Sequence, residues 1–475
     1  MLSFDNHPPD LLIEVASHLG LLDVFSFLSV CSSFWKLRES RYLWIALLER
    51  TQRLRSLACR VGTDVSQLDI DHLQYVARWT HRVEKNWRQS RPCIARAIRS
   101  VPFISASEME PAAILAVIPA TPLVILYAQQ AQRIIVCDSQ GRTPVSGIHV
   151  GKISRLAHFN ERGRHLIALT IGTHVDNEMS LRVVSVEYGD GNVPAMRTVY
   201  QGPIPRPCRA LFIYKDVVGI IPYSYDDSPA CIHAINFVTR LSVNISVELG
   251  DSINNTSYIF CSIVDGTPFI ITAQDRMHHI YRCPIEVLPL DEDTAIEDGA
   301  TIQGNLVQIA ALHAVDPEDT FYDYETPDLK WSPRGLHAFF VLYNISSQVI
   351  ETHPCFWPID HTYPPSPDQV QRLATMSFEG TVAAYFESRT SPWLVATSQS
   401  GTYAAVVVNR EVGPNALPTL FLIEYDSDPL KIESRQLELP FFINLDQIYA
   451  IAIDESLGVI YLSHALGHLF AVPYA

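Results

Sequence analysis

The chain has 475 residues, of which 48% are hydrophobic and 18% charged, and its formal net charge is −16. This composition indicates a globular protein with a large core and excludes extensive intrinsic disorder. The first residues show no basic segment followed by an apolar one, and Pro119 and Pro122 interrupt the longest apolar run. Neither a signal peptide nor a membrane-spanning helix is therefore predicted, and a cytoplasmic or nuclear location is expected.

Charge is divided unevenly along the chain. Residues 1–101 contain 14 Lys and Arg against 10 Asp and Glu, whereas the remainder contains 21 against 41. This asymmetry indicates two units with different partners. The acidic remainder disfavours nucleic acid as a ligand, because it repels phosphates at long range. Nine cysteines include no Cys-x-x-Cys pair, so we expect reduced thiols and neither a zinc site nor a disulfide framework.

The first segment, residues 10–48, is predicted to be helical and unusually apolar. Its apolar residues recur at helical spacing in two stripes: Leu11, Leu12, Val15 and Leu19, then Val24, Phe27, Leu28 and Cys31. A unit of this size buries too small a fraction of its surface to cover all of them. Either these helices dock on the rest of the chain, or they present a docking surface to another protein.

The sequence PPDLLIEVASHLGLLDVFSFLSVCSSFWKLRESRYLW, residues 8–44, resembles the F-box, a helical module that binds the Skp-family adaptor of cullin–RING ubiquitin ligases. The order and spacing of nearly all elements of the motif are kept across roughly residues 7–48. The resemblance implies that the adaptor would be bound by Pro8, Leu11, Leu12, Val15, Leu19, Val24, Leu28, Val30, Cys31, Phe34 and Trp44.

Residues 49–99 are predicted to form a helical linker. One helix carries a buried stripe at helical spacing: Leu73, Val76, Ala77, Thr80, Val83 and Trp87. The stretch from Arg78 to Arg99 is strongly basic, with Glu84 as its one acid. A nucleic-acid or membrane patch is one interpretation, and a solvated helix face opposite an acidic domain is the other. The basic residues show no evident interleaving with aromatic ones, as a nucleic-acid site would need, so the solvated helix face is favoured.

Residues 100–475 are predicted to be all-β. A strand, a tight polar turn with glycine and a strongly apolar strand recur, most clearly at Gly163, Gly266, Gly335, Gly401 and Gly458. Strand-rich repeats at this spacing indicate a β-propeller of about seven blades. This part resembles the divergent WD-repeat propellers that are joined to F-boxes, a pairing common in fungi. Because an unpaired strand edge invites aggregation, residues 100–107 are expected to pair with the strands of the last repeat.

The fold class predicted from the sequence is therefore multidomain: an all-α F-box at 7–48, a helical linker at 49–99 and an all-β, seven-bladed, WD-repeat-like propeller at 100–475. No phosphate-binding loop, nucleophile elbow or metalloprotease motif occurs. A metal held by His353, Cys355 and His361 is a less favoured alternative to packed strand residues. No catalytic residue, cofactor or metal is expected.

Acidic, tyrosine-rich loops at 222–229 and 315–328 are either solvated surface or a recognition surface for a basic or neutral protein segment. The residues assigned to target binding are Tyr223, Tyr225, Asp226, Asp227, Asp319, Tyr322, Asp323 and Tyr324. The function that the resemblance implies is that of a non-catalytic substrate receptor in an SCF-type cullin–RING ubiquitin ligase. The partners would be the adaptor, the cullin–RING core and an unknown target, without nucleic acid or membrane. Alternatives are an adaptor-bound protein acting outside a ligase and, less favoured, a propeller hydrolase.

Overall fold

A computed structural model provides the fold. It describes residues 8–60, 62–103, 110–141, 144–161, 163–172, 179–188, 194–204, 206–223, 231–247, 258–264, 267–274, 277–290, 297–313, 322–332, 335–344, 349–358, 384–386, 394–409, 418–425 and 432–475.

The α-helices of the described residues all lie before residue 90. They are α1 (Pro9–Ser17), α2 (Leu21–Leu28), α3 (Ser32–Lys36), α4 (Arg41–Gln52) and α5 (Ile70–Trp87). Short 3₁₀ helices cover Leu37–Glu39, Val65–Gln67, Ile285–Val287 and Leu445–Gln447.

Side-chain caps fix where the two longest helices begin. The Ser40 hydroxyl accepts a hydrogen bond from the Leu43 amide at 3.4 Å before α4. The Asp69 carboxylate accepts one from the His72 amide at 2.8 Å before α5. Both caps satisfy an amide that has no partner within its helix.

One hydrophobic core joins the five helices. It runs from Leu12 in α1 through Trp44 in α4 to Ala77 in α5. The stripe predicted for α5 is confirmed, since its six residues are buried: Leu73, Val76, Ala77, Thr80, Val83 and Trp87. The C-terminal half of α5 enters a second core, in which Val83 and Trp87 pack with strand residues from the end of the chain. Helix α5 therefore belongs to both cores.

The first strands of the chain are β1 (Arg99–Pro102), β2 (Ala112–Val117), β3 (Leu123–Ala128), β4 (Arg133–Asp138), β5 (Pro144–His149), β6 (Ile153–Glu161), β7 (Arg164–Ile171), β8 (Ser180–Glu187), β9 (Ala195–Pro203), β10 (Cys208–Tyr214), β11 (Val217–Pro222), β12 (Cys231–Asn236), β13 (Ser242–Val247) and β14 (Tyr258–Val264).

The remaining strands are β15 (Thr267–Gln274), β16 (Met277–Arg282), β17 (Ala300–Gly304), β18 (Val307–His313), β19 (Tyr322–Ser332), β20 (Gly335–Asn344), β21 (Val349–Pro358), β22 (Ala384–Phe386), β23 (Leu394–Thr397), β24 (Tyr403–Asn409), β25 (Pro418–Tyr425), β26 (Ile432–Gln436), β27 (Ile448–Asp454), β28 (Val459–His464) and β29 (His468–Pro473).

These strands form seven sheets, mostly of four antiparallel strands. The orders are β2-β3-β4-β5, β6-β7-β8-β9, β10-β11-β12-β13-β17, β14-β15-β16-β18, β19-β20-β21-β22, β23-β24-β25-β26 and β1-β29-β28-β27. Predicted glycine turns join the first two strands of several sheets, and Gly163, Gly401 and Gly458 have φ values of 71°, 73° and 64°. A residue with a Cβ rarely adopts this left-handed conformation, which explains the glycine at these turns.

The fold class predicted from the sequence is wrong. The described strands fall into separate sheets that are not closed into the predicted propeller, and no strand ladder among them joins one sheet to the next. The five helices are short and share one core, so an F-box followed by a distinct helical linker is not evident. Repeated strand and turn patterns specify pairing within a sheet, but they do not encode how sheets are arranged around one another.

The expected pairing of the segment that starts the β part is confirmed for its described residues. Strand β1 pairs antiparallel with β29, with Ser100 opposite Phe470 and Val101 opposite Leu469. The Phe103 amide continues the contact by donating to the Gly467 carbonyl at 3.0 Å. Residues 104–107 of that prediction lie outside the described part of the chain. The pairing covers an edge of β29 that would otherwise be open.

Candidate functional site

The residues predicted to bind an adaptor divide into a buried and an exposed group. The buried ones are Leu12, Val24, Leu28, Phe34 and Trp44, which belong to the helical core. Leu19 and Cys31 are half-buried, and Pro8 is exposed. Three large apolar side chains remain largely in solvent: Leu11 is 58% exposed, Val15 53% and Val30 70%. Only the exposed group is positioned to contact another protein without rearrangement of the helices.

Adjacent residues of one stripe thus have different roles. Leu11 and Val15 are four residues apart in α1 and lie on one side of it, whereas Leu12 and Ala16 occupy the buried side. Val30 follows α2, and Trp35 in α3 is also exposed. The helical unit therefore presents apolar side chains in addition to those that its own core requires.

This division changes how adaptor binding can be tested. Replacing Leu11, Leu12 and Leu28 together, three of the motif positions, would not test adaptor binding selectively. Leu12 and Leu28 are 8% and 2% exposed, so their loss would create cavities in the helical core. A selective variant must instead combine Leu11 with Val15 and Val30.

A buried ionic network fixes the helical unit to the β part. Arg55, in the connection between α4 and α5, lies 3.4 Å from Glu84 in α5 and 3.4 Å from Glu424 in β25. It also donates to the Tyr403 hydroxyl at 2.7 Å. Burial alone would lower the pKa of Arg55, but Tyr403, Glu84, Glu455 and Glu424 together outweigh burial and raise it.

Two further arginines complete this network. Arg88 lies 3.1 Å from Glu84 and 3.3 Å from Glu424, and Arg435 lies 2.8 Å from the other oxygen of Glu424. Trp87 packs edge-on against Tyr403, with ring centroids 4.7 Å apart. Sequence reasoning missed this junction, because its members come from four distant segments whose separation shows no pattern.

The turn between β27 and β28 contains two buried acidic residues, Asp454 and Glu455, and Glu455 is close enough to Arg55 to raise the pKa of that arginine. Asp454 is buried, and burial raises its pKa to about 6 despite hydrogen bonds from Ser456 and Leu457. Those bonds, 2.5 and 3.0 Å long, both reach Oδ1. Oδ2 has no hydrogen-bond partner among the described residues. An ionised Asp454 is therefore a cost to the folded state.

We expect Asp454→Asn to stabilise the protein at pH 8 by about 1–2 kcal/mol. Because the folded pKa is raised, the stability associated with this carboxyl group is present below pH 4 and is lost as the pH rises through about 6. The amide does not ionise and avoids that loss. The measurement is urea unfolding of both proteins between pH 4 and 8, with Asp446→Asn as the control for removal of a carboxylate. A stability difference that stays constant over this range would contradict the assignment.

Only part of the predicted target surface can be located. Tyr225, Asp226, Asp227 and Asp319 lie outside the described residues. Tyr322, Asp323 and Tyr324 belong to strand β19, where they pair with Asn344, Tyr343 and Leu342, and not to a loop as the sequence suggested. Polar and apolar residues alternate at 322–325 and again at 329–332, and these two short runs were the signal for a strand.

Tyr223 has basic neighbours. Its hydroxyl accepts a hydrogen bond from Arg155 at 3.1 Å, and the Arg209 guanidinium lies 5.9 Å from its ring centroid. Arg155 also donates to the Arg209 carbonyl at 2.8 Å. The sequence predicted acidic surroundings for this tyrosine, because residues adjacent in the chain are acidic whereas these arginines come from neighbouring strands β6 and β10.

An exposed aromatic pair lies in the connection between β26 and β27. Phe441 is fully exposed and Phe442 is half exposed, with ring centroids 6.0 Å apart. Exposed apolar groups of this kind are typical of contact surfaces. The dipeptide itself was the available sequence signal, and the sequence reasoning did not use it.

No cluster of three or more His, Cys, Asp or Glu side chains that could bind a metal occurs among the described residues. His353 and Cys355 both lie in β21, whereas His361 is outside the described part of the chain. Within that part, no helix is long and apolar enough to cross a membrane.

No family model and no curated protein matches the chain. Among solved structures, it is similar to the computationally designed Ika8 protein at 11% identity, with a TM-score of 0.39, over 78% of this chain and 98% of that one. It is also similar to Hsv2 of Kluyveromyces lactis at 12% identity, with a TM-score of 0.34, over 70% and 87% of the two chains. Neither likeness identifies the fold or the function of this protein.

Proposed function

We propose that the chain is a substrate receptor of an SCF-type cullin–RING ubiquitin ligase. Its N-terminal helices bind a Skp-family adaptor, and its β part binds a protein target. The observation that carries this proposal is the exposure of Leu11, Val15 and Val30 on helices that already have a complete core. These three residues occupy motif positions of the F-box resemblance.

Such a receptor promotes ubiquitin transfer by holding the target near the conjugating enzyme, and it catalyses no chemical step itself. A target held on the β part would be brought close to the conjugating enzyme, which raises its effective concentration. The junction around Arg55 supports this role, because it fixes the helices to the β part through ion pairs and packed aromatic rings. A fixed geometry preserves the orientation of the target relative to the adaptor.

The test is co-purification of the full chain with a Skp-family adaptor. We expect the triple variant Leu11→Lys, Val15→Lys and Val30→Lys to weaken adaptor binding at least about 100-fold, because it removes three apolar contacts and adds three charges. The variant should retain its helical circular dichroism, since all three side chains are exposed in the free protein.

The matched control carries Leu54→Lys, Val238→Lys and Leu466→Lys, which replace three exposed aliphatic residues elsewhere. Binding by the control equal to that of the natural chain would support the proposal. Unchanged binding by the first variant, or no adaptor binding by the natural chain, would refute it. Adaptor captured without a cullin would instead indicate a role outside a ligase.

A further inference from the structure

A basic surface on α5 is separate from the residues of the proposed adaptor site. Tyr75 and Arg82 are exposed on the side of α5 opposite its buried stripe. Trp79 lies between them, half-buried, where it also packs against the second core. Their spacing of three, four and seven residues places them on one face over about 10 Å. Arg96 and Arg99, which follow α5 in the chain, are also exposed.

Aromatic rings order this surface. The Trp79 and Tyr75 rings stack at 6.1 Å between centroids, with an interplanar angle of 29°. The Arg96 guanidinium lies over Trp79, 4.7 Å from the ring centroid. A guanidinium held over an indole loses little conformational freedom when it binds an anion. The aromatic interleaving that the sequence reasoning did not find is thus present, because Arg96 reaches Trp79 from seventeen positions further along the chain.

The positive charges here have no Asp or Glu side chain as an ion-pair partner among the described residues, although Arg96 Nε donates to an oxygen of Ala475 at 2.6 Å. Within the described part of the chain, the ion pairs of the junction involve Arg55, Arg88 and Arg435 and do not include Arg82, Arg96 or Arg99. Burial lowers the pKa of Arg96, and the charges of Arg99 and Arg82 lower it further, while Tyr75 acts in the opposite direction. The three arginines are therefore close enough to repel one another.

We propose that this surface, formed by Tyr75, Trp79, Arg82, Arg96 and Arg99, binds an acidic segment of a partner protein. A short run of Asp and Glu would relieve the repulsion between the arginines and form charge-assisted hydrogen bonds with them. This proposal goes beyond the adaptor and target sites and does not depend on either.

Nucleic acid fits this surface less well. Bases need open aromatic faces on which to stack, but Arg96 and Tyr75 already contact the Trp79 ring. The rest of the chain is strongly acidic, with 21 Lys and Arg against 41 Asp and Glu after residue 101, and repels a long polyanion more than a short peptide.

The experiment is fluorescence anisotropy with the full chain and a short fluorescein-labelled peptide of alternating Asp and Glu. We expect the triple variant Arg82→Gln, Arg96→Gln and Arg99→Gln to bind this peptide about tenfold more weakly than the natural chain. Binding should weaken as the salt concentration rises. A second variant, Trp79→Leu, retains all charges and should weaken binding about threefold, because Arg96 is no longer held by the ring.

The matched control is Arg53→Gln, Lys152→Gln and Arg206→Gln, which removes the same charge from exposed positions elsewhere. Affinity within about twofold of the natural chain is expected for it. The proposal is overturned if the control loses as much affinity as the Arg82, Arg96 and Arg99 variant, or if that variant binds normally. It is also overturned if a peptide of Asn and Gln binds equally well, or if a single-stranded oligonucleotide of equal length binds more tightly.

Discussion

Arg55→Met is expected to reduce the free energy of unfolding by about 3 kcal/mol. Arg55 is the cation shared by Glu84 of α5 and Glu424 of β25, and it also binds the Tyr403 hydroxyl. Methionine fills much of the same volume but leaves these buried acidic groups with fewer positive neighbours. Arg88 and Arg435 remain, so the expected loss is at the lower end of the range for a broken buried pair.

The loss should be largest at the junction between the helices and the β part. Hydrogen exchange measured by mass spectrometry is expected to increase in α5 and in β24 and β25, with little change in β6 to β9. Combining Arg55→Met with Glu424→Gln should restore part of the stability, because the second change removes one of the uncompensated charges. A loss below about 1 kcal/mol, or exchange that increases uniformly, would show that the network does not fix the junction.

Trp44→Ala is expected to destabilise the helical unit by about 3–5 kcal/mol. The side chain is buried in the helical core, its ring centroid lies 5.7 Å from that of Phe25, and its indole nitrogen donates to the Arg38 carbonyl at 2.6 Å. Alanine leaves a large cavity and an acceptor without its donor. Tyr42→Ala, in the same helix but at an exposed position, is the control and should change stability by less than about 1 kcal/mol.

Hydrogen exchange in α1 to α4 measures this effect and separates two causes of lost adaptor binding. Trp44→Ala should lose adaptor binding together with protection of the helices, whereas the Leu11, Val15 and Val30 variant should lose binding with protection retained. Normal protection in the Trp44 variant would mean that this residue is not required by the core.

Features of the fold that depend on local pattern could be predicted from the sequence. The buried stripe of α5 follows from helical spacing, and the turns at Gly163, Gly401 and Gly458 follow from glycine between strands. The pairing of β1 with β29 could be inferred because an unpaired edge needs a partner. The arrangement of the sheets could not be inferred, and the predicted fold class was wrong for that reason.

The candidate sites were less predictable, because they depend on which side of an element faces solvent. Leu11 and Leu12 are adjacent and equally apolar, and only the position of the other helices decides that Leu12 is buried. The contacts of Tyr223 with Arg155 and Arg209 join two strands of different sheets. No sequence pattern relates positions separated in this way.

The pairing of β1 with β29 also has a consequence for protein synthesis. Arg99 leaves the ribosome long before its partner Ala471 is translated, and at about 5–20 residues per second the delay is roughly 20–70 s. During that time β1 has an unpaired edge, and Val83 and Trp87 of α5 lack the late strands that bury them. The nascent chain therefore exposes apolar surface until residues 448–473 have been made, and such surface is what chaperones bind during synthesis.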